Sequence, residues 1–152
     1  MVMKKILLFT ALFASSLFAI SQKRVARKSQ SEILNEQYCS DLFKNADGTI
    51  FDIEHENVQA YFNILDWLEG RVPGLQVLFS RSGIRVPVIR GSVATIYVDE
   101  MRVDPSFLNG LSVNDIGMIK VIKGPFVGAI GNGGGGTIAI YTLKGDEEEE
   151  DE

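Results

Sequence analysis

The chain has 152 residues, of which 15 are basic and 20 acidic, with one cysteine, Cys39, and one histidine, His55. A single cysteine excludes an internal disulfide, and the chain offers no Ser-His-Asp set, cysteine and histidine cluster or carboxylate pair with a reason to differ in pKa. We therefore predict a non-enzymatic protein without a cofactor or a bound metal.

Acidic charge is concentrated at the end of the sequence, because residues 146–152 are all acidic. The rest of the chain after position 19 has equal numbers of acidic and basic residues, which does not suggest a nucleic-acid surface. A run of like charges repels itself, so we predict a disordered acidic tail over 146–152. Its alternative role is docking to a basic surface or weak capture of calcium.

Residues 1–19 have the pattern of a secretory signal peptide. Lys4 and Lys5 precede a short apolar run, and small residues follow it, whereas the run is too short to span a bilayer. We expect export to the periplasm, with a mature start at Leu17 or Ile20. Cys39 lies too far downstream to be the lipidated residue of a lipoprotein.

Residues 20–48 are predicted to form a basic arm followed by an amphipathic helix. Four cations stand among polar residues at Lys23, Arg24, Arg27 and Lys28. A helix is then predicted over about 31–44, because apolar residues recur at helical spacing at Ile33, Leu34, Tyr38, Leu42 and Phe43.

A short edge strand over 49–53 and the main helix are predicted next. Asn57 is the expected N-cap and Gly70 the expected end of that helix. Its apolar stripe consists of Val58, Tyr61, Phe62, Leu65 and Leu68. Trp67 is off the stripe, which leaves core packing, cover of a sheet edge or a partner contact open, with core packing the simplest. A Pro-Gly turn then leads into a strand over 75–79.

The run 83–145 alternates β-branched segments with glycine, proline and small polar residues, which is typical of short strands. Helical turns are predicted at Pro105 and after Ser112 or Asn114. Together the elements predict an α+β fold: a small mixed four- to five-stranded sheet with one main packed helix and short helical turns. The run GNGGGG matches G-x-G-x-x-G, but a strand follows it where a dinucleotide site needs a helix.

Several segments, taken in order, carry a resemblance to a known family. They are residues 63–77, Ile89-Arg90-Gly91, Tyr97-Val98-Asp99, Asn114-Asp115-Ile116, residues 121–125 and residues 138–145. This series, within 57–145, resembles the plug domain of TonB-dependent outer-membrane receptors, most closely the form found in Bacteroidetes nutrient receptors. On this basis 49–145 is interpreted as a plug-like domain, and we expect it to be free-standing, without the barrel.

The resemblance implies which residues contact a barrel. In the receptors, plug cations pair with barrel carboxylates, which here points to Arg90 and Lys123; Asp99 and Arg85 are added as partner-binding candidates. The alternative is pairing within the domain, for instance between Arg90 and Asp99 or Asp115. Turn roles are predicted for Gly91, Gly124, Pro125, Gly131 and Gly136.

One position departs from the family pattern. Glu100 follows Asp99 where the receptors have a glycine, and glutamate tolerates positive φ poorly. The tight hairpin turn of the family is therefore in question, and a less tight turn around Asp99-Glu100-Met101 is the alternative. The short TonB-contacting box that often precedes the plug has no convincing match, which argues against energy coupling through TonB.

The resulting hypothesis is a periplasmic plug-like protein that binds and occludes or gates an outer-membrane β-barrel. Two alternatives stay open. One is an accessory module of a nutrient-uptake complex that binds a small nutrient through loops 80–85 and 104–109. The other is a truncated receptor remnant.

Overall fold

The computed structural model describes residues 28–124 and 134–143. The predicted signal peptide, the charged part of the basic arm up to Arg27, Pro125, Gly131 and the acidic tail lie outside these residues. In the part of the chain that is described, no helix is both long and apolar enough to cross a bilayer.

Two α-helices and two 3₁₀ helices alternate with short strands in the described ranges. The helices are α1 (Gln30–Tyr38), α2 (Ile64–Glu69) and the 3₁₀ segments Pro105–Asn109 and Val113–Asp115. The strands are β1 (Thr49–Asp52), β2 (Leu75–Phe79), β3 (Arg85–Ile89), β4 (Ser92–Val93), β5 (Thr95–Val98), β6 (Met101–Val103), β7 (Ile116–Ile122) and β8 (Thr137–Thr142).

The strands form two sheets. The larger has five strands in the order β1-β7-β8-β5-β6, in which β5 and β8 run parallel and the other neighbours antiparallel. The smaller is the antiparallel sheet β2-β3-β4. The predicted α+β class with a mixed sheet and short helical turns is confirmed, and the second sheet is an addition to the prediction.

The five-stranded sheet is buried on both faces, which explains why β7 reads as a continuous apolar run. Successive side chains of β7 alternate between two cores, with Ile119 and Val121 on one side and Met118 and Ile122 on the other. The first core is shared with α2 and the smaller sheet. The second is covered by α1 and the turn that follows it.

The main helix is shorter than the apolar stripe predicted. Helix α2 begins after Asn63 rather than Asn57, and Phe62 is 95% exposed. Tertiary contacts decide this start: the Asn63 carboxamide oxygen accepts from the Leu65 amide, while its nitrogen donates to Leu108 O at 3.2 Å. Since Asn63 is itself buried, its side chain caps α2 and ties the helix to the 3₁₀ segment at once.

Helix α1 also ends earlier than predicted, at Tyr38 rather than near residue 44. Ser29 and Glu32 form a capping box at its start. After the helix, the Glu100 carboxylate accepts hydrogen bonds from the Ser40 and Leu42 amides, at 2.9 and 3.4 Å. These bonds fix the backbone between the end of α1 and the turn at 42–45, so that Phe43 enters the second core without helical backbone.

Helix α1 docks where β7 has no side chain. Gly117 lies at a β-bulge of β7, and a Cβ placed on it would collide with the Tyr38 ring. The absence of a side chain at Gly117 therefore leaves the space in which the Tyr38 ring is buried.

Candidate partner-binding site

Arg90 lies at the tip of a tight hairpin. Ile89 pairs with Ser92, so Arg90 and Gly91 form a two-residue turn, and both have positive φ, 53° and 82°. The left-handed conformation costs a non-glycine residue about 1 kcal/mol or more. The Arg90 side chain is exposed, and among the described residues no ion pair joins it to Asp99, Asp115 or another carboxylate.

Lys123 lies at the same end of the molecule as Arg90. It follows the last residue of β7, and Gly136 leads into the paired start of β8. A Cβ on Gly135 would collide with Ser92 O, which places this glycine segment against the β3–β4 hairpin. Gly124 and Gly136 both have positive φ, as Gly91 does. We call Arg90, Lys123 and these glycines the basic end.

Asp99 lies at the other end of β5. Since β5 starts at the basic end and has four residues, Asp99 is about 13 Å farther along the sheet. Its carboxylate accepts from both the Thr142 amide and the Thr142 hydroxyl at 2.9 Å. The structure therefore separates Asp99 from Arg90 and Lys123.

The tight turn after Asp99 is formed, and the alternative of a less tight turn is wrong. Val98 pairs with Met101, so Asp99 and Glu100 form a two-residue hairpin turn with φ values of 47° and 64°. The cost of positive φ in Glu100 is offset by the bonds of its carboxylate, which also accepts from Tyr141 Oη at 3.2 Å. Burial is the main cause that raises the pKa of Tyr141, so this hydroxyl stays a donor.

Arg85 is separated from the basic end as well. It begins β3, about 16 Å along the strand from Arg90. Its Nε donates to Asp66 Oδ1 at 2.8 Å, and its guanidinium lies over the Phe79 ring. Arg85 thus already has partners within the domain.

A further cation, Lys120, was not among the predicted site residues. It is buried, with only 2% of its surface exposed. It lies on the α1 side of β7, and its Nζ donates to Asn35 Oδ1 and to Phe43 O, both at 2.6 Å. Both acceptors are neutral, and burial lowers the pKa of Lys120. A lysine inside the apolar run MIKVIK was the signal in the sequence.

We expect the buried amine to make the free energy of unfolding rise with pH between the folded-state and unfolded-state pKa values of Lys120. Unfolded lysine has a pKa of about 10.4, above the lowered pKa of folded Lys120. Between these two values the unfolded chain binds more protons, so the free energy of unfolding rises with pH.

The check is urea denaturation of the wild type and of Lys120→Met across this window. Cys39 and Tyr141 have raised pKa values, which act in the opposite direction, and both residues are present in the two proteins. The wild-type minus variant difference therefore reports on Lys120 together with its charge coupling to Cys39. Parallel pH profiles of the two proteins would contradict the assignment.

One cavity of about 410 Å³ lies beside the edge of the larger sheet. Residues 93–96 line one wall, and Arg102, Val103, Asp104 and Pro105 line the other. Within the described ranges no group of three or more histidine, cysteine, aspartate or glutamate residues could hold a metal ion. The described lining of the cavity includes both charged and apolar residues.

The two-sheet α+β domain with a glycine segment packed against its basic hairpin has the plug-like fold of outer-membrane receptors. No protein-family model matches the chain, and no curated protein matches it. Solved structures do match it, among them structures of TonB-dependent receptors.

The RagAB peptide importer in its closed-closed state is 23% identical over 68% of this chain, with a TM-score of 0.53. The siderophore receptor PirA from Acinetobacter baumannii is 22% identical over 78%, with a TM-score of 0.52. A variant of the ferric enterobactin receptor PfeA from Pseudomonas aeruginosa is 23% identical over 64%, with a TM-score of 0.51.

The matched region is a small part of each of those proteins: 13% of the RagAB chain, 19% of PirA and 17% of PfeA. Identities of this size establish a shared fold.

Proposed function

We propose that this plug-like domain binds an outer-membrane β-barrel and occludes or gates it from the periplasmic side. The observation that carries the proposal is Arg90, an exposed cation at a hairpin tip where a non-glycine residue is conformationally costly. Residues in costly backbone conformations are found mostly at functional sites, and an arginine here occupies a turn position that glycine or asparagine would fill at lower cost.

The basic end fits the chemistry of a barrel interior. The lumen of an outer-membrane barrel is lined with polar side chains, so it can offer carboxylates to Arg90 and Lys123. Guanidinium and carboxylate groups form strong bidentate pairs once water is excluded. The solved relatives support the proposal, since RagAB is a peptide importer and PirA a siderophore receptor.

Replacing Arg90 separates binding from folding. We expect Arg90→Ala to weaken association with the barrel at least tenfold, because an unpaired barrel carboxylate would remain buried. Arg90→Gly should weaken binding equally while raising the free energy of unfolding by about 1 kcal/mol or less, since glycine accepts positive φ. Binding is measured by affinity capture and stability by urea denaturation.

The control is Lys28→Ala, an exposed cation on the opposite face that pairs with Glu36. It should bind like the wild type. If both Arg90 variants lose stability and retain binding, Arg90 has a structural role and the basic end is not the contact.

The partner itself can be identified by crosslinking a tagged chain in its native cells and solubilising the outer membrane in detergent. Recovery of one large β-barrel in near-equal amount would support the proposal. Recovery of the protein alone, with no membrane partner after crosslinking, would exclude it.

A second candidate function is an accessory ligand-binding module of a nutrient-uptake complex. The observation in its favour is the 410 Å³ cavity, a size suited to a small ligand, with Asp104 and Pro105 in its wall. Candidate nutrients should then raise the melting temperature saturably, and Val103→Trp, which fills the cavity, should remove the effect.

A further inference from the structure

Lys120 is a buried cation with an incomplete set of partners. An ammonium group has three N–H donors, and two of them go to the neutral oxygens of Asn35 and Phe43. No carboxylate among the described residues lies within 4 Å of Nζ. Removing a cation from water is costly unless an opposite charge compensates it.

A cavity of about 230 Å³ adjoins this amine. Four of the residues that line it, from three segments, carry hydrogen-bond donors: Lys120, Lys44, Asn45 and Ser31. Its described lining residues belong to α1, the turn that leads into β1, and β7.

Two acidic residues also line the cavity, and they differ in what they do. The Glu32 carboxylate accepts from the Ser29 amide at 2.8 Å, so it serves the cap of α1. Asp47 is exposed at the rim and raises the pKa of Lys120 through its charge, although burial dominates. Neither Glu32 nor Asp47 therefore forms an ion pair with Lys120.

We infer that this cavity binds a carboxylate group, which takes the third Lys120 N–H and compensates its charge. A monocarboxylate fits better than a phosphate, because a second negative charge would be repelled by Asp47. The carboxylate has two sources of the same chemistry, an external ligand or the acidic side chains of residues 146–152.

The test follows the Lys120 Nζ resonance by ¹H–¹⁵N NMR in the full chain, with sodium acetate against sodium chloride at equal ionic strength. We expect acetate to raise the titration midpoint of Lys120 saturably by about one pH unit, because an adjacent opposite charge favours the ammonium form. Equal midpoints in acetate and chloride, both in the wild type and in the chain whose acidic residues 146–152 are replaced by Asn and Gln, would overturn the inference.

Variants distinguish binding from a general salt effect. Asp47→Asn should lower the acetate concentration for half effect about two- to fivefold, since it removes a like charge at the rim. Acetate should raise the melting temperature of the wild type and of the control Lys28→Met, but not of Lys120→Met. An unchanged half-effect concentration in Asp47→Asn overturns the assignment even if Lys120→Met does not fold.

The source is decided by replacing all seven acids of residues 146–152 with Asn and Gln in the full-length chain. A lower Lys120 midpoint in acetate-free buffer would identify the tail as the ligand. An unchanged midpoint, with the acetate response retained, would identify an external carboxylate.

Discussion

Trp67→Ala should lower the free energy of unfolding by about 3–5 kcal/mol, the usual cost of truncating a buried large aromatic side chain. Trp67 has no exposed surface, and its ring meets Phe51 edge-on at a centroid distance of 5.6 Å. The guanidinium carbon of Arg71 lies over the Trp67 ring, 4.1 Å from its centroid. The measurement is equilibrium urea denaturation with the slope checked for two-state behaviour.

Phe62→Ala is the matched control, because this phenylalanine is five positions earlier and almost fully exposed. Its effect should stay within about 0.5 kcal/mol. Trp67→Phe should cost less than Trp67→Ala, since the buried indole nitrogen has no hydrogen-bond partner to lose. A larger loss in Phe62→Ala than in Trp67→Ala would contradict the observed start of α2.

Gly135→Ala should destabilise the domain by about 2–3 kcal/mol, the range for forcing atoms into a fully packed site. The added methyl would collide with Ser92 O and lie 2.7 Å from Val93 O. Both neighbours are backbone atoms of the β3–β4 hairpin, so neither can rotate away. Thermal or urea unfolding measures the loss.

The control is Gly134→Ala, where a methyl group meets nothing within 4 Å. It should be neutral or slightly stabilising, because alanine restricts the unfolded chain more than glycine does. Equal losses in both variants would mean that the glycines matter for flexibility rather than for close approach.

Gly136, the last glycine of the sequence match to a dinucleotide fingerprint, has a backbone role instead. The strand β8 follows Gly136, and the carbonyl of Gly136 accepts from the Thr95 amide at 3.0 Å. Gly136 thus bonds to the start of β5, and Gly135 packs against the backbone of the β3–β4 hairpin. A helix N-terminus, which a dinucleotide phosphate requires, does not follow.

Local patterns predicted most of the strands correctly. The edge strand 49–53, the strand 75–79 and the turn at Pro105 appear at the predicted places, because alternation and turn residues act over a few neighbours. The α+β class follows from that order of elements. The resemblance correctly anticipated the plug-like fold, which the solved receptor structures share.

The candidate site was less predictable, since it depends on contacts between distant residues. Proximity of Arg90 to Lys123 at one end, with Asp99 at the other, follows from the parallel pairing of β5 with β8. Periodicity could not reveal this pairing, which joins residues about 40 positions apart. The roles of Arg90 and Lys123 in binding stay predictions.

By itself, the sequence determined most of the strand positions and the class of the fold, because these depend on conformational preferences of neighbouring residues. Only the tertiary structure decided where α2 begins, how Glu100 tolerates positive φ and why Lys120 is buried. Each of the three depends on a hydrogen-bond partner at least 40 residues away, such as Leu108 for Asn63. The energy of such contacts overrides local propensity, which is worth only about 1 kcal/mol per residue.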